Sequence, residues 1–95
     1  MEITDFCKSL DFMKLGQAIH HNNWRAASSI LQRMQKQYEE TGEEAFGRSF
    51  SNLRQCLLHR DQLAAKNALA GVIARRTRIL NRRKQEDKGQ NGEEI

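Results

Sequence analysis

The 95-residue chain contains no proline. Proline is the commonest helix breaker and a frequent turn former, so its absence favours a continuously helical chain. Aromatic residues are sparse too, with four Phe, one Tyr and one Trp. None interleaves the arginines near the C-terminal end, which weighs against recognition of single-stranded nucleic acid by stacking. The longest apolar run, residues 68–74, covers seven positions including Gly71, far short of the roughly 20 residues that cross a bilayer. The opening MEITDFCKSL carries acids early and lacks a basic stretch followed by an apolar core, so no secretory leader is expected and a cytoplasmic location is. Cys7 and Cys56 fall outside any CxxC spacing and sit among apolar neighbours, which fits small core residues and not a disulfide or redox pair.

What is present is enough for one domain. A chain of this length buries roughly two-thirds of the surface that it exposes when unfolded, so neither a metal nor a disulfide staple is needed to explain its stability. Apolar residues recur at Trp24, Ala27, Leu31, Met34 and Tyr38, a 3,4,3,4 alternation that lines one face of a helix. Phe46, Phe50, Leu53 and Leu57 define another helix in the same way. Thr41 and Glu44 fit a capping box before it, and Gly42 fits the left-handed position that closes the helix ahead. The first helix is less regular. Phe12, Leu15, Gly16 and Ile19 share one face and Phe6, Leu10 and Met13 another, which predicts a bend or a separate short turn near Asp11, capped by Ser9 or Asp11. Asn23 and Asp61 stand where N-caps belong, and the very short joints before them force antiparallel neighbours.

Laying residues 12–34 over 50–72, an offset of 38, matches Phe12 with Phe50, Leu15 with Leu53, His21 with His59, Ala27 with Ala65 and Leu31 with Leu69. The chain is thus expected to be an all-α, four-helix up-down bundle built from two antiparallel helical hairpins over residues 1–85, followed by a disordered polar tail at 86–95. Phe12, Leu15, Gly16, Ala18, Trp24 and Ala27 of the first hairpin resemble the tetratricopeptide-type helical hairpin. The second hairpin keeps Leu53 and Ala65 but has Arg54 and Gln62 where that pattern has glycine and an aromatic, and the period of 38 exceeds the family's 34. The resemblance implies a protein-binding surface, not catalysis.

The formal charge of +4 is localised. Residues 1–74 carry nine Lys and Arg against eight Asp and Glu, residues 75–85 carry six basic residues and no acid, and residues 86–95 are net −3. On a helix running from Asp61 toward Lys84, Ala65, Leu69, Val72, Ile73, Ile79 and Leu80 share a broad face with Arg76 and Arg83 in its middle. Buried guanidinium groups need partners, so core contact is expected to end near Ile73 unless these arginines snorkel or meet acids such as Glu39, Glu40, Glu43 or Glu44. Arg75, Arg78 and Arg82 form a separate outward stripe. The candidate partner-binding residues are Arg75, Arg78, Ile79, Leu80, Arg82, Arg83 and Lys84. They suit an acidic or helical protein partner, with nucleic acid as the rival and a second copy of the chain as a further occupant of the apolar seam at Ile79 and Leu80.

No cofactor, metal or enzymatic role is expected. His20, His21 and His59 lie at hairpin tips without metal-ligand spacing. A histidine-phosphotransfer bundle would need an exposed mid-helix His followed by Lys and Gly, whereas Asn23, Trp24 and Gln62 stand three residues after these histidines, so a degenerate phosphotransfer-like bundle is the last alternative.

Overall fold

A computed structural model describes residues 1–43 and 46–92, with side chains placed up to residue 82. The elements are α1 (Ile3–Cys7), α2 (Asp11–His20), α3 (Trp24–Thr41), α4 (Gly47–Leu58) and α5 (Gln62–Gly92). The expected all-α bundle of two hairpins is present, preceded by the short α1. α2 packs on α3 and α5, and α4 packs on the same two helices, so the ring closes in the order α2, α3, α4, α5. Among the described residues α2 and α4 make no direct backbone approach. α1 touches the diagonal pair α3 and α5, which places it across one end of the ring.

The helical stripes read from the sequence form the core. Leu15, Ile19, Ala27, Met34, Leu53, Ala65 and Val72 are fully buried, with Leu31, Leu57 and Leu69 nearly so. One half of this core is aliphatic. The other, under α1, is aromatic: Phe6 packs against Phe12, Tyr38, Phe46 and Phe50 at centroid distances of 5.4 to 6.1 Å. The irregular first helix resolves into two segments. Phe6 enters the core from α1, Phe12, Leu15 and Ile19 enter it from α2, and Leu10 and Met13 remain exposed. Ser9 stabilises the break, its hydroxyl accepting the Asp11 N–H at 3.2 Å. Gly16 faces not its hairpin partner α3 but α5, where a Cβ would lie 3.5 Å from Leu69 Cδ2.

The two hairpin joints repeat each other bond for bond. In the first, the Asn22 N–H donates to the Ile19 carbonyl and the Asn23 N–H to the Ala18 carbonyl; in the second, Arg60 donates to Leu57 and Asp61 to Cys56. Each is a Schellman closure, with its left-handed residue at φ 57° for Asn22 and 53° for Arg60. The next residue then starts the following helix: Asn23 Oδ1 accepts from Ala26 N–H at 3.2 Å and Asp61 Oδ1 from Ala64 N–H at 3.1 Å. Every one of these pairs is related by the offset of 38, so the repetition extends from side chains to backbone. Asn tolerates the left-handed region far better than Arg, whose Cβ meets the carbonyl there. Arg60→Gly is therefore expected to raise stability by about 1 kcal/mol and Asn22→Gly by less, as read from urea midpoints.

The third joint departs from expectation. Gly42 does close α3 in a left-handed conformation, at φ 71°. Thr41, however, belongs to α3: its hydroxyl donates to the Tyr38 carbonyl at 2.6 Å and accepts from Glu43 N–H at 3.2 Å, so it caps no following helix. α4 begins after Phe46, with no side-chain cap. Tyr38 serves instead, its hydroxyl accepting the buried Phe46 N–H at 2.9 Å. Glu44 lies outside the described residues.

Asp11 is the one buried charged residue described, 7% exposed. Arg33 Nη2 and Nε donate to its two carboxylate oxygens at 2.7 and 3.1 Å, tying the start of α2 to α3. These bonds hold the Asp11 carboxyl below its ordinary range, against the opposing effect of burial. Because the folded pKa is depressed, the stabilisation is present above the ordinary carboxylate range and lost as pH falls through the folded value. Asp11→Asn should consequently melt below the wild type at neutral pH, and the gap should close on acidification below about pH 4.

Candidate functional site

α5 has 31 residues, about 46 Å at 1.5 Å per residue, and accounts for most of the molecule's 51 Å long axis. Its inner stripe runs Ala65, Leu69, Val72, Arg76 and Ile79. Of the alternatives set by the arginines, core contact does not end near Ile73, because Arg76, half-buried, is accommodated. Its Nε–H donates to the Cys7 carbonyl at the end of α1, and its guanidinium carbon sits 5.3 Å from the centre of the Phe12 ring. A carbonyl and an aromatic face thus replace the acids anticipated as partners. Among the described residues the one ion pair is Arg33–Asp11, and Glu39, Glu40 and Glu43 pair with no arginine. Beyond Arg76, Ile79 and Leu80 are partly buried and pack against the core.

Arg75, Arg78 and Arg82 are exposed. Spaced by three and four residues, they share one flank of α5, turned away from the Arg76 stripe. Arg83 and Lys84 continue the basic run; their side chains lie outside those described. α5 itself is helical to Gly92 and so takes in residues 86–92 of the segment expected as a polar tail, with residues 93–95 outside the described part.

The histidine tip is built as a structural joint. The Gln62 amide crosses from α5 to the carbonyls of Ile19 (3.3 Å) and His20 (2.9 Å), which brings both hairpin joints to one end of the ring. Lys66 Nζ lies 3.3 Å from His20 Nδ1. Among the described residues no three His, Cys, Asp or Glu side chains gather as metal ligands would. Both cysteines are free. Burial pushes the Cys7 thiol up, with Arg76 opposing less strongly, which fits a packing residue and not a nucleophile.

A second surface feature went unread in the sequence. Between α3 and α4 a cleft of about 310 Å³ is lined by Leu31, Gln32, Gln35, Arg54, Leu57 and Leu58. A shallower continuation of about 190 Å³ runs past Gln35 to Tyr38, Glu39 and Gly47. The signal for it was the single place where the 38-residue repeat sets Arg54 against Gly16. No family model, curated protein or solved structure matches the chain. Among the described residues no helix is long and apolar enough to cross a membrane.

Proposed function

We propose that the chain is a small, non-enzymatic protein-interaction module of the cytoplasm that uses the exposed arginine flank of α5 to bind an acidic surface on a partner protein. The observation that carries this reading is the contrast within two helical turns. Arg76 is consumed by the fold, whereas Arg75, Arg78 and Arg82 face solvent without a carboxylate partner among the described residues. Arginine on a rigid helix presents planar donor forks at fixed spacing, which suits paired recognition of carboxylates.

A protein partner fits this flank better than nucleic acid does. The line from Arg75 to Arg82 is about 10 Å long at helical rise, room for a few phosphates at most. The net −3 segment at residues 86–95 follows directly and repels an extended polyanion, while a compact acidic patch avoids it. The test is a salt titration of the wild type and an Arg75→Ala, Arg78→Ala, Arg82→Ala variant against a short helical peptide with clustered glutamates and against duplex DNA. Saturable peptide binding that weakens at least tenfold in the variant, with no DNA binding near physiological salt, is expected. Tight DNA binding that falls steeply with salt and requires the same three arginines would assign the chain to nucleic acid instead.

A further inference from the structure

The ring contains two seams that the internal repeat makes equivalent, α2 against α5 and α4 against α3. The offset of 38 turns Gly16 into Arg54, Ile19 into Leu57, His20 into Leu58, Leu69 into Leu31 and Lys66 into Ser28. Their packing differs. In the α2–α5 seam Leu69 Cδ2 lies at van der Waals distance from where a Cβ of residue 16 would stand, and Gln62 reaches across to two α2 carbonyls. In the α3–α4 seam Arg54 stands in place of the glycine. Arg54 and Leu31 there line the cleft of about 310 Å³. Leu58, on the rim, is 67% exposed, where its counterpart His20 lies beside Lys66.

We infer that the α3–α4 cleft is a docking groove for an amphipathic helix of a partner protein, a leucine-type side chain of which enters between Leu57 and Leu58 while a carboxylate beside it pairs with Arg54. The charge pattern selects this occupant. Arg54 is the one charged residue lining the main cleft, it is exposed, and among the described residues it has no acidic partner. Ser28, Gln32 and Gln35 along the α3 wall add neutral hydrogen-bonding groups, as the polar rim of a helix-binding groove requires. In the adjoining hollow, which shares Gln35, the one charged residue is Glu39, so a negative group lies toward one end of the α3–α4 seam and the Ser28–Leu58 end is neutral, an asymmetry that favours one orientation of the bound helix. The inference rests on the reading of the chain as a protein-binding module but uses neither α5 nor its arginines.

The test uses the full chain and a fluorescein-labelled synthetic helix with leucines at i, i+3, i+4 and i+7 and one glutamate bordering them, followed by anisotropy and by amide chemical-shift changes. Saturable binding with shifts along α3 and α4 is expected. Arg54→Glu should weaken it at least tenfold, and a peptide with lysine in place of the glutamate should restore binding to that variant. Leu58→Glu, at an exposed position where folding is unaffected, should weaken both peptides. The Arg75→Ala, Arg78→Ala, Arg82→Ala variant should bind as the wild type does, which separates this surface from the α5 flank. Absence of saturable binding, indifference to Arg54 and Leu58, equal binding of a peptide with scrambled apolar spacing, or occupation of the groove by a second copy of the chain in sedimentation would each overturn the inference.

Discussion

Phe6→Ala is expected to cost about 3–5 kcal/mol, the usual range for deleting a fully buried phenyl ring. A domain of this size has about 5–14 kcal/mol of stability in all, so the variant should sit near the edge of folding. Phe6 is completely buried and meets four other rings, three of them edge-on. Five-residue α1 has no helical stability of its own. It is held by the burial of Ile3, Phe6 and Cys7 and by the Arg76 bond to the Cys7 carbonyl. Loss of the ring should therefore release α1 and expose the aromatic half of the core. Guanidinium unfolding measures the loss, and amide exchange at residues 3–9 reports the release. Leu10→Ala, at a position 65% exposed, should change stability by no more than about 0.5 kcal/mol. A loss below about 1 kcal/mol for Phe6→Ala would mean that α1 does not plug the ring.

Leu15→Ala and Leu53→Ala should each cost about 2–5 kcal/mol. Both leucines are fully buried, and they occupy the same position in the two repeats. Their surroundings differ in one respect. Leu15 precedes Gly16 in the α2–α5 seam, which the Gln62 amide ties across, whereas Leu53 precedes Arg54 beside the open cleft. The cost of a cavity grows with the volume that cannot collapse, so Leu15→Ala should be the more damaging of the two. Urea midpoints at constant slope decide this. Equal losses would argue that the two seams are packed alike.

Much of this architecture was legible because the signals are local. The stripes through α3, α4 and α5 follow from helical period alone, and Asn23, Asp61 and Gly42 mark their ends by chemistry that each residue carries itself. Thr41 misled because a hydroxyl at a helix end satisfies a carbonyl behind it as readily as an N–H ahead, and only the position of Phe46 under Tyr38 shows which. Arg76 was recognised as a misfit in an apolar face, but its acceptor is a carbonyl 69 residues away. No spacing rule reaches that far. Gly16 was legible as part of a helical-hairpin pattern, but not that it faces α5 instead of its hairpin partner α3, because the packing of α2 on α5 is a property of the whole ring. The exposure of Arg75, Arg78 and Arg82 followed from projection, since three residues on one flank of a helix whose opposite face is buried have nowhere else to point.

The central claim is that the arginine flank of α5 recognises an acidic protein surface, and reversing its charge tests this most directly. Calorimetric titration of an acidic helical peptide into the wild type and into an Arg75→Glu, Arg78→Glu, Arg82→Glu variant should show binding to the first and a loss of at least tenfold in the second, with the melting temperature unchanged because these side chains are exposed. A basic peptide of the same spacing should then prefer the variant. Equal affinity of both proteins for the acidic peptide would contradict the account.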